Sequence, residues 1–152
     1  MKKKNILVLC TGNSCRSQMA EGYLRKFAHP SVEVYSAGIE AHGLNPRAVA
    51  SMARDGVDIS GQKSTLVDEY ATMVFDLVLT VCDNAQENCP ILPSKAGAPT
   101  VRLHHSFPDP AKAQGTPDEI QEAFDSVRDQ IKDYCRRMID PNGLLVTTPV
   151  DR

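Results

Sequence analysis

A cysteine, five further residues, then an arginine and a serine form the run CTGNSCRS from Cys10 to Ser17. That order can hold a tetrahedral oxyanion over a nucleophilic sulfur. Thr11, Gly12, Asn13 and Ser14 lie between an apolar stretch and an amphipathic one, so their backbone N–H groups, with those of Cys15, Arg16 and Ser17, can turn inward at the start of a helix and form an anion nest. Gly12 is expected to allow the tight curvature, and the Arg16 guanidinium offers a planar fork for two oxygens. The same donors favour a thiolate at Cys10. Lowering a thiol pKa from about 8.5 to about 6 raises the ionised fraction at pH 7 from a few per cent to roughly nine tenths. Alone, a cysteine that closes a buried strand reads as readily as a small core residue. The spacing to Arg16 and Ser17 favours the nucleophile.

Those residues need elements to hold them. Asn5 to Cys10 and Phe75 to Val81 are apolar, rich in Val, Leu and Ile, and of the length expected for strands covered on both faces. Val32 to Ser36 and Thr100 to His104 are weaker strand candidates. Cys15, Met19, Tyr23 and Phe27 recur every four residues, which predicts a helix over 14–28 with that stripe turned to a core, and which reads Cys15 mainly as packing. Asn45 and Pro46 read as a cap and first-turn proline of a second helix running to about 54. Ile120, Phe124, Val127, Ile131, Tyr134 and Met138 line one face of a long helix starting near Thr116, with Cys135 on its apolar side. Alternating strands and helices imply a single α/β domain over 1–152, a doubly wound four-stranded parallel sheet with helices on both faces. The tail after Pro141 is expected to fray.

The whole chain sets the remaining limits. Its 152 residues are enough for one core without a disulfide or metal staple. A formal charge of −2 and a single short basic run, Lys2 to Lys4, offer no footprint for nucleic acid or an anionic membrane. The apolar run Ile6 to Cys10 is too short for a signal-peptide core or a bilayer span. A cytoplasmic monomer acting on a small polar ligand is the expectation. Five cysteines, an odd number, read as reactive or buried thiols rather than a disulfide framework. A zinc site made of Cys82, Cys89, His104 and His105 is the competing reading of the later pair, but six intervening residues exceed the usual cysteine spacing.

CTGNSCRS followed by MAEG resembles the loop of the low-molecular-weight protein tyrosine phosphatase superfamily, whose fold is a four-stranded parallel sheet between helices. The resemblance implies a nucleophile at Cys10, an anion-binding arginine at Arg16 and loop-bracing roles for Asn13 and Ser17. It also implies a general acid at an aspartate before a proline, which FPDPA supplies as Asp109 and Pro110. A second motif, TVCDNAQENCPILP, extends the likeness to the thioredoxin-coupled arsenate reductases of the same superfamily. VYSAGIE, DPA and VRDQI are similar too. That resemblance implies redox roles for Cys10, Cys82 and Cys89, with arsenate as substrate, phosphate or sulfate as competing anions and thioredoxin as reductant.

In the family's strand order, Cys10 and Cys82 end adjacent strands about 4.8 Å apart, within disulfide reach after modest movement. Cys82 and Cys89, seven residues apart, would be separated by about 10.5 Å along a helix, so bridging them requires that segment to unwind. No tightly bound cofactor is implied. Some members hold a potassium ion beside the loop; Asn13, Glu21 and Ser36 match three of its contributing positions, while Thr65 stands where an aspartate is usual. The alternative activity is hydrolysis of phosphate monoesters, for which Cys10, Arg16 and Asp109 suffice. Tyrosine phosphatases of this kind usually follow the Asp-Pro pair with tyrosines; here Ala111 and Lys112 follow.

Overall fold

In the computed structural model, residues 3–146 are described. Four parallel strands form one sheet: β1 (Lys4–Cys10), β2 (Val32–Gly38), β3 (Leu77–Thr80) and β4 (Val101–His104), in the order β2-β1-β3-β4. The five residues from Ile6 to Cys10 are buried, because β1 is central and covered on both faces. This agrees with the sequence expectation for an α/β sheet, although β3 and β4 are shorter than the apolar runs containing them.

Helix α1 (Arg16–Phe27) follows β1, and α2 (Pro46–Arg54) follows β2 with Asn45 as its cap, accepting from the Arg47 and Ala48 N–H groups. A short α3 (Asp83–Asn88) follows β3. The long α4 (Pro117–Arg137) opens with a capping box made by Thr116 and Glu119. Phe124, Val127, Ile131, Tyr134 and Cys135 are its buried face, as the four-residue periodicity predicts. Cys15 caps α1 instead of sitting within its first turn. None of the helices among the described residues is long and apolar enough to cross a membrane.

The tail departs from expectation. His29 donates its N–H to Gly143 O at 2.7 Å, and Val146 N–H donates to Met138 O at 2.7 Å. Residues 141–146 are thus tied to the loop after α1 and to the end of α4, while 147–152 lie outside the described residues. A local turn signal at Pro141 and Asn142 carries no information about that distant partner.

Register sets the chemistry. Leu9 pairs with Thr80 between β1 and β3, and Val81 N–H donates to Leu9 O at 2.9 Å. Cys10 and Cys82 therefore leave the carboxyl edge of the sheet side by side, where open α/β sheets bind ligands.

Candidate active site

The loop after β1 is shaped from outside. Its carbonyls from residue 10 to residue 14 are all engaged by neighbours: Cys10 O by Ile39 N–H, Thr11 O by Glu40 N–H, Gly12 O by His42 N–H, Asn13 O by the Gln18 amide, and Ser14 O by Asn45 N–H, at 2.8 to 3.2 Å. With the carbonyls drawn outward, the alternating N–H groups face the inner side of the loop. Above them lies a cavity of about 300 Å³ that exposes Cys10, Thr11, Ser14, Cys15, Arg16 and Asp109, with His42 and Lys112 at its wall.

The curvature comes from a different residue than expected. Asn13 has φ 48°, the left-handed conformation that favours glycine or asparagine. Its side chain fixes it there: Oδ1 accepts from Thr65 N–H at 2.8 Å, and Nδ2 donates to Ser17 at 2.8 Å and Ser36 at 2.9 Å. Gly12 serves close approach, since a Cβ there would lie 2.3 Å from His42 Nδ1. Gly38 is equally constrained: a Cβ would meet Glu40 O at 2.1 Å and Asn13 N at 2.8 Å. His42, Gly38 and Gln18 were not singled out as site residues from sequence.

Asn13 and Ser17, expected in the anion-binding set, lie in the bracing layer; both are fully buried. Arg16 is in the cavity. Its Nη1 donates to Phe107 O at 3.1 Å and Nη2 lies 3.6 Å from Asp109 Oδ2, which brings the expected acid to the loop. Its buried Nε has no hydrogen-bond partner. A buried charged donor left this way calls for an acceptor, and an oxygen of a bound anion meets that need.

Two cysteines meet beneath the loop. Cys82 Sγ accepts from the Ala85 N–H at 3.4 Å and lies 3.3 Å from Thr11 Oγ1, with Cys10 at the end of the neighbouring strand. The neighbouring Cys10 thiol foremost, with the bonds from Thr11 and Ala85, holds Cys82 below its ordinary range against burial. Cys10 moves the other way, raised chiefly by the neighbouring Cys82 thiol and by burial, with Arg16 opposing. The two thiols titrate as a pair, with Cys82 drawn down and Cys10 pushed up. The direction at Cys10 is opposite to the lowering that the loop donors alone imply, because a second sulfur lies beside it. Cys15 is pushed up to about 11 by burial, consistent with packing, and burial also raises Cys135.

Cys89 closes α3 at its far end, half-buried, with Arg102 Nη1 3.3 Å from its sulfur. Six helical residues separate the two later thiols, as the spacing implied. All five cysteines are free.

The residues matched to a potassium site do not fit one. Glu21 Oε1 accepts from Ser36 at 2.6 Å, and Oε2 accepts from Arg25 Nε at 2.8 Å. The Asn13 oxygen is taken by Thr65 N–H, and Thr65 brings no carboxylate. The Arg25 guanidinium supplies the positive charge at that position.

Comparison with known proteins agrees with this geometry. Residues 5–144 match the family described as low molecular weight phosphotyrosine protein phosphatase. An arsenate reductase from Bacillus licheniformis is 49% identical over 140 residues, covering 92% of this chain and 98% of that protein. A solved arsenate reductase in an oxidized state superposes with a TM-score of 0.70 at 28% identity, covering 87% of this chain and 93% of the other. Another, in a phosphate binding state, gives 0.67 at 31% identity with the same coverage. With sheet order, loop and sequence in accord, the chain belongs to the low molecular weight phosphotyrosine protein phosphatase family.

Proposed function

We propose that this protein reduces arsenate to arsenite through Cys10, Cys82 and Cys89, and that thioredoxin restores its thiols. The observation that carries the reading is the placement of two buried thiols side by side at the carboxyl edge of the sheet, Cys10 ending β1 and Cys82 following the paired strand β3. Ester hydrolysis needs one thiolate and a water molecule; a second thiol beside the first is suited to disulfide formation. The name arsenate reductase carried by relatives about half identical over most of the chain supports it. The cavity wall supports it too: Ala111 and Lys112 offer no aromatic surface for a phenol ring.

In this reading arsenate accepts hydrogen bonds from the inward N–H groups and Arg16 Nε, and Cys10 passes its proton to Cys82. Cys10 thiolate attacks arsenic while Asp109 protonates the departing oxygen, which leaves as water. Cys82 releases its proton to solvent and attacks the Cys10 sulfur. The sulfur–arsenic bond breaks, its electron pair stays on arsenic, and arsenite departs. Cys89 then attacks Cys82 and frees Cys10, giving a disulfide that a dithiol protein can reduce. Phosphate and sulfate match the shape of arsenate and compete for the loop without accepting electrons. A monomer in the cytoplasm, where thioredoxin is kept reduced, suits this chemistry.

The test mixes reduced protein with excess arsenate in the absence of thioredoxin, quenches with an alkylating agent and maps the cysteines by mass spectrometry. A loss of about 2 Da with Cys82 joined to Cys89 is expected, one disulfide having formed per molecule. Full alkylation of all five thiols would sink the relay and favour phosphate-ester hydrolysis at Cys10, Arg16 and Asp109.

A further inference from the structure

Two asparagines on α3 form a directional chain that ends at Cys82. Asn88 Nδ2 donates to Asn84 O at 2.9 Å and to Asn84 Oδ1 at 2.8 Å. A backbone carbonyl can only accept, so the nitrogen of Asn88 must face Asn84. The Asn84 side-chain oxygen must then accept, which leaves its Nδ2 facing Thr11 Oγ1 at 2.9 Å. With a donor already pointing at its oxygen, the Thr11 hydroxyl turns its own hydrogen onward, and Cys82 Sγ lies 3.3 Å away. Each link fixes the polarity of the next.

We propose that Asn84 and Asn88 are positioning residues that aim the Thr11 hydroxyl hydrogen at the Cys82 sulfur and so favour charge on it before it attacks Cys10. The functional importance of that attack rests on the reduction pathway proposed above. Neither asparagine lines the anion cavity. The titratable and charged groups facing Cys82 are Cys10 at the end of β1 and Arg16 on α1. Asp83, the next residue, is turned outward and lies 3.0 Å from His104 on β4.

The chain also has a built-in end. Asn84 and Asn88 belong to the helix that must unwind for Cys89 to reach Cys82, so that movement removes the donor from a sulfur that no longer needs it.

The experiment is a double-mutant cycle on the reduced protein, reading the pH midpoint of Cys82 alkylation by iodoacetamide with residue-resolved mass spectrometry. Asn84→Leu is expected to raise the midpoint by about half to one pH unit, the scale of one hydrogen bond to a charged acceptor. Thr11→Val is expected to raise it further, and Asn84→Leu added to Thr11→Val to raise it no more. Asn88→Ala, which frees the Asn84 amide to turn over, is expected to give a smaller rise. A wild-type midpoint in Asn84→Leu would overturn the proposal, as would a full Asn84 effect persisting without the Thr11 hydroxyl, since Asn84 would then act by another route. An unchanged midpoint in Asn88→Ala would overturn its part. Alkylation needs no arsenate, so these outcomes stand apart from a wild-type protein that releases no arsenite, which would instead overturn the reduction pathway.

Discussion

Arg16 and Cys89 can be replaced to separate anion binding from thiol relay. Arg16→Lys keeps the charge but loses the planar fork and its buried Nε; phosphate affinity measured by titration is expected to fall about 10- to 100-fold. Cys89→Ser leaves Cys10 and Cys82 side by side, so one arsenite per protein molecule is expected, followed by arrest even with thioredoxin present. Sustained turnover in that variant would contradict the relay. Cys10, Arg16, Cys82 and Cys89 were visible in the sequence because spacing and the strand ends determine where they fall. The coupling of the pair was not visible: it depends on Cys10 and Cys82, 72 positions apart, being brought side by side by the register of β1 against β3. Gly12 shows the same limit, since its need for a missing side chain comes from His42 across the loop.

At the scale of elements, the reading from periodicity and capping held for β1, α2 and α4, whose apolar patterns and Asn45 or Thr116 caps are local. The segment after β2 was less legible. It carries little hydrophobic periodicity, yet its N–H groups at residues 39, 40, 42 and 45 engage the loop carbonyls and turn the loop amides inward. Helix α1 contributes from beneath through the Asn13, Ser36, Glu21 and Arg25 chain. Because Arg25 already supplies a cation there, the melting temperature is expected to be the same in KCl and NaCl at equal ionic strength. Arg25→Met removes that charge and leaves Glu21 Oε2 without its partner; a lower melting temperature is expected, with a loss of about 1 kcal/mol or more.

Across the whole molecule, α1 and α4 are clamped near the second helix by one carboxylate. Tyr23 donates to Asp55 Oδ2 at 2.7 Å, and Lys132 Nζ lies 2.9 Å from the same oxygen. The Tyr23 bond foremost, then Lys132, holds Asp55 below its ordinary range. A depressed carboxylate stabilises the fold at pH values above its unfolded value near 4, and that contribution is lost as pH falls through the folded value. Chemical denaturation from pH 7 to pH 3 is expected to show a smaller acid-side loss in Asp55→Asn, from a lower starting stability. The parallel sheet followed from alternating strand and helix patterns, and the pairing of β3 with β1 from the resemblance, whereas the tie between His29 and Gly143 joins distant segments with no shared pattern. One further consequence lies in the cap of α3, whose first turn hangs on the Cys82 sulfur through Ala85 N–H. The sulfur that the proposed chemistry consumes is also the bolt on the helix keeping Cys89 at a distance. While Cys82 is reduced the bolt is shut, and a stray oxidant meets two thiols held at opposite ends of a helix; once Cys82 turns toward Cys10 the bolt slides and the third thiol is released. The protein thereby keeps its own clock, and an oxidant such as diamide added without arsenate should join Cys10 to Cys82 before any Cys82–Cys89 bond appears.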